Sequence, residues 1–202
     1  MTKIFKYRIF GLAFFSIITS LSFAQVKVIN NVKFIQGDSV YLINKNIDSI
    51  LIERKPFALR YFCKTYNEKK EEFNSAQIAV LENSADTNFL KVGKSTNGNP
   101  YFEQGTGMAP GNNEMYDTVF ITNTGHNYLV YENEKKKRVF LISKGKNMLE
   151  LEWRITAAHY EEKDVQFSEL KLSTLYFVIY IDRNLNEIID KDELKIVKVI
   201  FK

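Results

Sequence analysis

Apolar and polar residues alternate strictly between residues 148 and 156, and this alternation constrains the fold more than any other feature of the chain. Leu149, Leu151, Trp153 and Ile155 fall on one face, and Glu150, Glu152 and Arg154 on the other. A period of two with this polarity predicts a strand whose one face lies on a core and whose other face lies in water. Trp153 is therefore expected to be buried beside Leu151 and Ile155. Related runs fall at 26–29, 32–35, 40–43, 49–53, 57–66, 76–81, 118–122, 128–131 and 138–143. The runs 175–181 and 194–201 are apolar on both faces, which suits strands placed centrally or between two layers. Turn signals separate the runs: Gly37-Asp38, Asn44-Lys45-Asn46 and Asn123 to Asn127 with Gly125 at its centre. Residues 68–72 could open a short helix or a long hairpin loop. With no alternation of helices and strands, the chain is expected to be all-β, an antiparallel β-sandwich or jelly-roll. Its 16 Phe and 11 Tyr suit the core of such a fold.

One segment breaks the pattern. Residues 93–116 read GKSTNGNPYFEQGTGMAPGNNEMY, a long Gly/Asn-rich loop. Loops of this length inside a domain are often functional. Its Tyr101, Phe102, Met108 and Tyr116 would either pin the loop to the sandwich or form an apolar contact surface. Gly105, Gly107 and Gly111 do not have the spacing of a dinucleotide-binding turn, and no strand–helix unit surrounds them.

The N-terminus addresses the compartment. Lys3, Lys6 and Arg8 precede an apolar run at 9–18, and Ser22-Phe23-Ala24 carries small residues at the −3 and −1 positions of a signal-peptidase site. Residues 1–24 are expected to be a cleaved secretory signal peptide, and 25–202 a single β-sandwich-like domain that is secreted or periplasmic. The apolar run is shorter than the ~20 residues of a spanning helix, and no Cys follows the site, so no stable membrane anchor is expected after cleavage. Of the 28 Lys and Arg, three belong to residues 1–24, leaving 25 against 24 Asp and Glu and a net charge of +1. Such a balance gives no ground for nucleic acid as a partner. The basic run Lys135 to Arg138 reads as a solvated turn. Cys63 is the only cysteine, so the chain has no internal disulfide, and it is expected to serve as a small buried hydrophobe. His126 and His159 are far apart in sequence.

The chemistry-bearing constellation lies at 182–193. Asp182, Asn184 and Asn186 recur every second residue, Asp190 follows, and Glu193 closes the run. On these residues the segment resembles the twelve-residue calcium loop of EF-hand proteins. The resemblance implies side-chain oxygens from Asp182, Asn184, Asn186, Asp190 and Glu193 and the backbone carbonyl of Ile188, with calcium as the cofactor. A hard cation wants six to eight such oxygens. Two departures are visible. The sixth position, usually Gly, is Glu187, which must then adopt an unfavourable backbone angle. The flanking runs read as strands, so a strand–loop–strand variant is expected, with a structural role for the ion.

Three classes of function follow. The first is an exported, non-catalytic β-domain that binds a protein or a glycan and is stabilised by calcium. The second is a structural subunit of a cell-surface assembly. The third is an extracytoplasmic hydrolase of glycans or peptides, for which Glu150 and Glu152, or Glu103 and Glu114, would be the paired carboxylates. No catalytic signature favours the third, so no catalytic residue is assigned.

Overall fold

The computed structural model describes residues 32–44, 48–64, 77–99, 102, 130–131, 139–146, 148–160, 163–184 and 186–202. The fold is all-β. Five strands form one sheet in the order β2 (Ser39–Ile43), β1 (Val32–Gln36), β4 (Phe57–Lys64), β8 (Met148–Ile155), β7 (Val139–Lys144). Four strands form a second sheet in the order β3 (Ser49–Ile52), β12 (Leu194–Phe201), β11 (Thr174–Tyr180), β5 (Gln77–Leu81). A third sheet contains β10 (Lys163–Gln166), β9 (Ala157–Tyr160) and β6 (Val130–Tyr131). The helical content among the described residues is the 3₁₀ turn Ser84–Phe89.

The alternation at 148–156 places β8 as expected. Leu149, Leu151, Trp153 and Ile155 are buried and meet the inner faces of β1 and β4, where Val32, Phe34, Phe57, Leu59 and Tyr61 point the same way. From the opposing sheet come Leu175, Phe177 and Ile179 of β11, and Val197, Val199 and Phe201 of β12. Phe177 stands at the centre. Its ring meets Phe34 edge-on at 5.1 Å, Phe57 at 5.8 Å and Trp153 at 6.4 Å. Such offset and edge contacts are the favoured aromatic geometries.

The strand β11 is buried on both faces, which accounts for its unbroken apolar run. Its alternate residues Val178 and Tyr180 belong to a second, smaller core with Ala79, Leu81, Leu90, Phe102 and Ile189. The four-stranded sheet thus has the large core on one side and a partial cover on the other.

Three features depart from the sequence expectation. The sheets are not wholly antiparallel, because β12 pairs with β3 in parallel, Lys198 opposite Ser49 through Phe201 opposite Ile52. A hairpin of β9 and β10, with Lys163 opposite Tyr160, follows β8 after a single residue, Thr156. The face of β8 expected in water is partly covered: Glu152 is 7% exposed. The strand at 26–29, the helix or loop at 68–72, the hairpin around Gly125, the basic run 135–138 and most of 93–116 lie outside the described residues. Of Cys63 the structure describes the backbone, which pairs with Leu149.

Candidate functional site: the 182–193 loop

The loop joins the two central strands of the four-stranded sheet. Its ends are held together by the strand pairing itself, Tyr180 opposite Leu194, and by the Ile181 N–H donating to the Glu193 carbonyl at 2.9 Å. Between them the short polar side chains compete for the backbone, as Asn and Asp do in turns. Asp182 accepts from the N–H of Asn186 through Oδ1 at 3.3 Å and from the N–H of Glu187 through Oδ2 at 2.9 Å. Asn184 Oδ1 accepts from the Asn186 N–H at 3.2 Å, and Asn186 Oδ1 from the Ile188 N–H at 2.8 Å. These bonds wind the chain tightly enough that Glu187 takes φ 58°, the left-handed region that a side chain enters at a cost on the order of 1 kcal/mol.

The structure brings four of the predicted ligands directly together. The amide nitrogens of Asn184 and Asn186 both donate to Asp190 Oδ2, at 2.8 and 3.1 Å, and Asp182 is linked to them through the Asn186 N–H. Glu193 lies beneath this cluster, 2% exposed. Its Oε1 accepts from the Arg183 N–H at 2.8 Å and its Oε2 from the Asp190 N–H at 3.0 Å. The carboxylate thereby pins both ends of the loop. The Ile188 carbonyl faces the Tyr180 hydroxyl, which donates to it at 3.5 Å. Among the described residues, no three His, Cys, Asp or Glu side chains converge as a metal-ligand group. The oxygens of Asp182 and Glu193 are turned to backbone amides instead.

Residues far away in sequence complete the site. The Gly93 N–H donates to the Ile189 carbonyl at 2.8 Å, the Ile189 N–H to the Lys94 carbonyl at 2.9 Å, and the Thr96 N–H to the Glu187 carbonyl at 2.8 Å. Gly93 holds φ 85° at this tie, an angle that favours glycine. The start of the Gly/Asn-rich segment is therefore a strap hydrogen-bonded across the loop. Behind it, Phe102 packs on Tyr180 at 5.4 Å, and Ile189 inserts into the same small core. Phe102 itself is thus packed into the small core. Burial, and then the charge of Asp182, push the Tyr180 hydroxyl well above its ordinary pKa of 10. The sequence singles out the polar residues of the loop but not Tyr180, Thr96 or the strap. The available signal was the apolar run of β11, whose second face needed a cover.

The paired carboxylates of β8 sit elsewhere, on the outer face of the five-stranded sheet. Glu152 accepts from Arg60 Nε at 3.2 Å and from Arg154 Nε at 3.1 Å, and Arg154 lies 3.7 Å over the Phe140 ring. Glu150 accepts from the Ser143 hydroxyl at 3.1 Å and stands 3.6 Å from Lys33. Burial raises the Glu152 pKa, but the hydrogen bonds from Arg60 and Arg154 outweigh it and hold the group below its ordinary 4.5. A depressed carboxylate contributes stability above its unfolded pKa and loses it as pH falls through the folded value. Glu152→Gln is expected to cost about 1–2 kcal/mol at neutral pH, the lower part of the range for charged hydrogen bonds because both arginines are partly exposed. That cost should shrink as the pH falls below about 4.5, once both forms are neutral. Urea unfolding at both pH values checks this, and an equal cost at each would contradict it.

No protein-family model, curated protein or solved structure matches the chain.

Proposed function

We propose that this chain is an exported, non-catalytic β-sandwich that binds another protein or a glycan and is stabilised by a calcium ion in the 182–193 loop. The observation that carries the calcium reading is the gathering of Asp182, Asn184, Asn186 and Asp190 around one hydrogen-bonded centre, with Glu193 directly behind. The donors are all hard oxygens, the chemistry calcium takes. Asn184 and Asn186 turn nitrogen toward Asp190, and a half-turn about the last side-chain bond of each would exchange nitrogen for oxygen at the loss of the bonds their Oδ1 atoms accept from the Asn186 and Ile188 N–H groups. A divalent cation would then replace two amide dipoles as the neutralising partner of Asp190.

The calcium affinity expected of such a loop is weak, with a Kd on the order of 10⁻⁴–10⁻³ M. Calcium at ten times its Kd should stabilise the folded chain by about 1.4 kcal/mol, a melting shift of roughly 3–6 °C for a chain of this size. Magnesium should substitute poorly, because it demands tighter octahedral geometry. Calorimetry of the mature protein tests this. No shift up to ~10 mM calcium, above the weak extracellular range, would remove the ion from the reading.

Export rests on residues 1–24 of the sequence. Intact mass of protein recovered from its host is expected to correspond to a chain beginning at Gln25, and a mass retaining residues 1–24 would contradict it. The two arginines that hold the Glu152 carboxyl below its ordinary pKa support the non-catalytic reading, since a glycosidase acid needs a raised pKa. A second reading, a subunit of a surface assembly, is favoured by β2. Among the described residues it is an edge strand, with Val40 and Leu42 at 60% and 45% exposure, a template for pairing with another chain.

A further inference from the structure

The strap turns sharply just past its last tie to the loop. At that point stand Asn97 and Gly98, the only Asn-Gly dipeptide in the chain. They are the central pair of a four-residue turn, which the Asn99 N–H closes on the Thr96 carbonyl at 3.0 Å. Gly98 takes φ 70° while Asn97 keeps a negative φ, the pattern of a type II turn with glycine third. Thr96 and Asn99 are buried, and Asn97 and Gly98 between them are exposed. The base of the turn is therefore fixed and its tip stands in water.

The Asn97 N–H donates to Ser95 Oγ at 3.1 Å. Among the described residues, nothing bonds to the Asn97 side-chain amide, to its carbonyl or to the Gly98 N–H. The space beside Gly98 is open as well, with nothing within 4 Å of where a Cβ would stand. The peptide group between Asn97 and Gly98 can thus rotate without breaking a hydrogen bond. Type I and type II turns differ by such a rotation and share the closing bond, and glycine accepts both.

These features suit an intramolecular reaction, in which nucleophile and electrophile are already held on one chain. The Gly98 nitrogen gives its proton to solvent and attacks Asn97 Cγ. The N–Cγ bond forms, the Cγ–Nδ2 bond breaks, and Nδ2 takes a proton from solvent and leaves as ammonia. Water then opens the five-membered succinimide. Opening at the side-chain carbonyl gives aspartate, and opening at the main-chain carbonyl gives isoaspartate, whose backbone runs through Cγ. One water enters, one ammonia leaves, and nothing is oxidised or reduced.

We infer that Asn97 is a site of spontaneous deamidation in the folded protein, and that its isoaspartate product loosens the strap. The product carries an extra backbone carbon between Thr96 and Asn99, so the turn no longer closes on the same bond. Thr96 passes the change on, because its N–H at 2.8 Å and its hydroxyl at 3.3 Å both donate to the Glu187 carbonyl. The modification requires neither a metal nor a partner.

The test ages the full mature chain, folded, in warm, mildly alkaline buffer and follows its digested peptides by mass spectrometry. The peptide holding Asn97 is expected to gain the mass of NH exchanged for O, and isoaspartyl methyltransferase should label it. Its conversion should run at a rate close to that in the urea-unfolded chain. Asn97→Gln should abolish it, because the longer side chain must close a less favourable six-membered ring. Amide hydrogen exchange then reads the strap. In aged protein the N–H groups of Thr96 and Asn99 should lose protection in the same fraction of molecules that the methyltransferase labels. In Asn97→Asp, which adds the charge without the extra carbon, they should keep it. An Asn97 that stays intact in the folded chain while converting in urea would overturn the site. Unchanged exchange in the labelled fraction, or equal loss of protection in Asn97→Asp, would overturn the loosening of the strap.

Discussion

Phe177→Ala is expected to destabilise the fold by about 3–5 kcal/mol, the range for removing a large aromatic from a packed core. The side chain is fully buried and joins both sheets, with rings from Phe34, Phe57 and Trp153 around it. No single neighbour can move into the space without leaving its own sheet, so the cavity should persist rather than collapse. At about 2–4 °C per kcal/mol for a chain of this size, the midpoint should fall by roughly 10 °C. Phe177→Leu, which keeps most of the volume, should cost less than half as much. Thermal and urea unfolding of the two variants check this ordering. A Phe177→Ala cost below ~1 kcal/mol, far under the core range, would mean that the two sheets do not close on this ring.

The second large effect is expected at Glu193, and it should appear without any metal. Both carboxylate oxygens accept backbone N–H groups, from Arg183 and Asp190, and the group is buried. Glu193→Ala leaves two amides without their acceptor and should cost about 2–4 kcal/mol in chelator, as buried unsatisfied donors do. Glu193→Gln retains one acceptor oxygen and should cost less, about 1 kcal/mol. Both variants should lose most of the calcium-dependent melting shift, since neither offers a bidentate carboxylate. Comparing unfolding in chelator with unfolding in calcium separates the scaffold role of Glu193 from its role as a ligand. A Glu193→Ala variant as stable as the parent in chelator would contradict the scaffold role.

Local pattern revealed the strands and little about their partners. The period-two run of β8 identified both the strand and its buried face, because side chains must alternate across a pleat. The double-sided apolar run at 175–181 predicts a strand placed centrally or between two layers, and β11 is central in its sheet with both faces largely buried. The parallel pairing of β3 with β12 was not legible. Nothing in Ser49–Ile52 records a partner almost 150 residues away. The β9–β10 hairpin was missed because its strands are short and contain no Gly or Pro to mark a turn. Glu152 was expected in water because its own strand alternates. Its burial comes from Arg60 on a neighbouring strand and from Arg154 two residues along. At the loop, spacing alone identified the polar residues. It could not show that the strap at 93–96 would tie down Glu187 and Ile189, or that Glu187 would occupy a left-handed angle. Those depend on a segment some ninety residues upstream.

The place of β12 in the middle of its sheet has a consequence for how the chain comes to be folded at all. It supplies Val197, Val199 and Phe201 to the large core and bridges β11 to β3. Without β12 the second sheet is reduced to β11 paired with β5, and β3 has no neighbour in it among the described residues. Until β12 is in place, the apolar faces of β1, β4 and β8 lack the part of their cover that Val197, Val199 and Phe201 supply. Folding must then follow as a late, long-range event of the kind that high contact order makes slow. The sandwich therefore closes fully only once β12 has paired with both β11 and β3, which joins segments almost 150 residues apart.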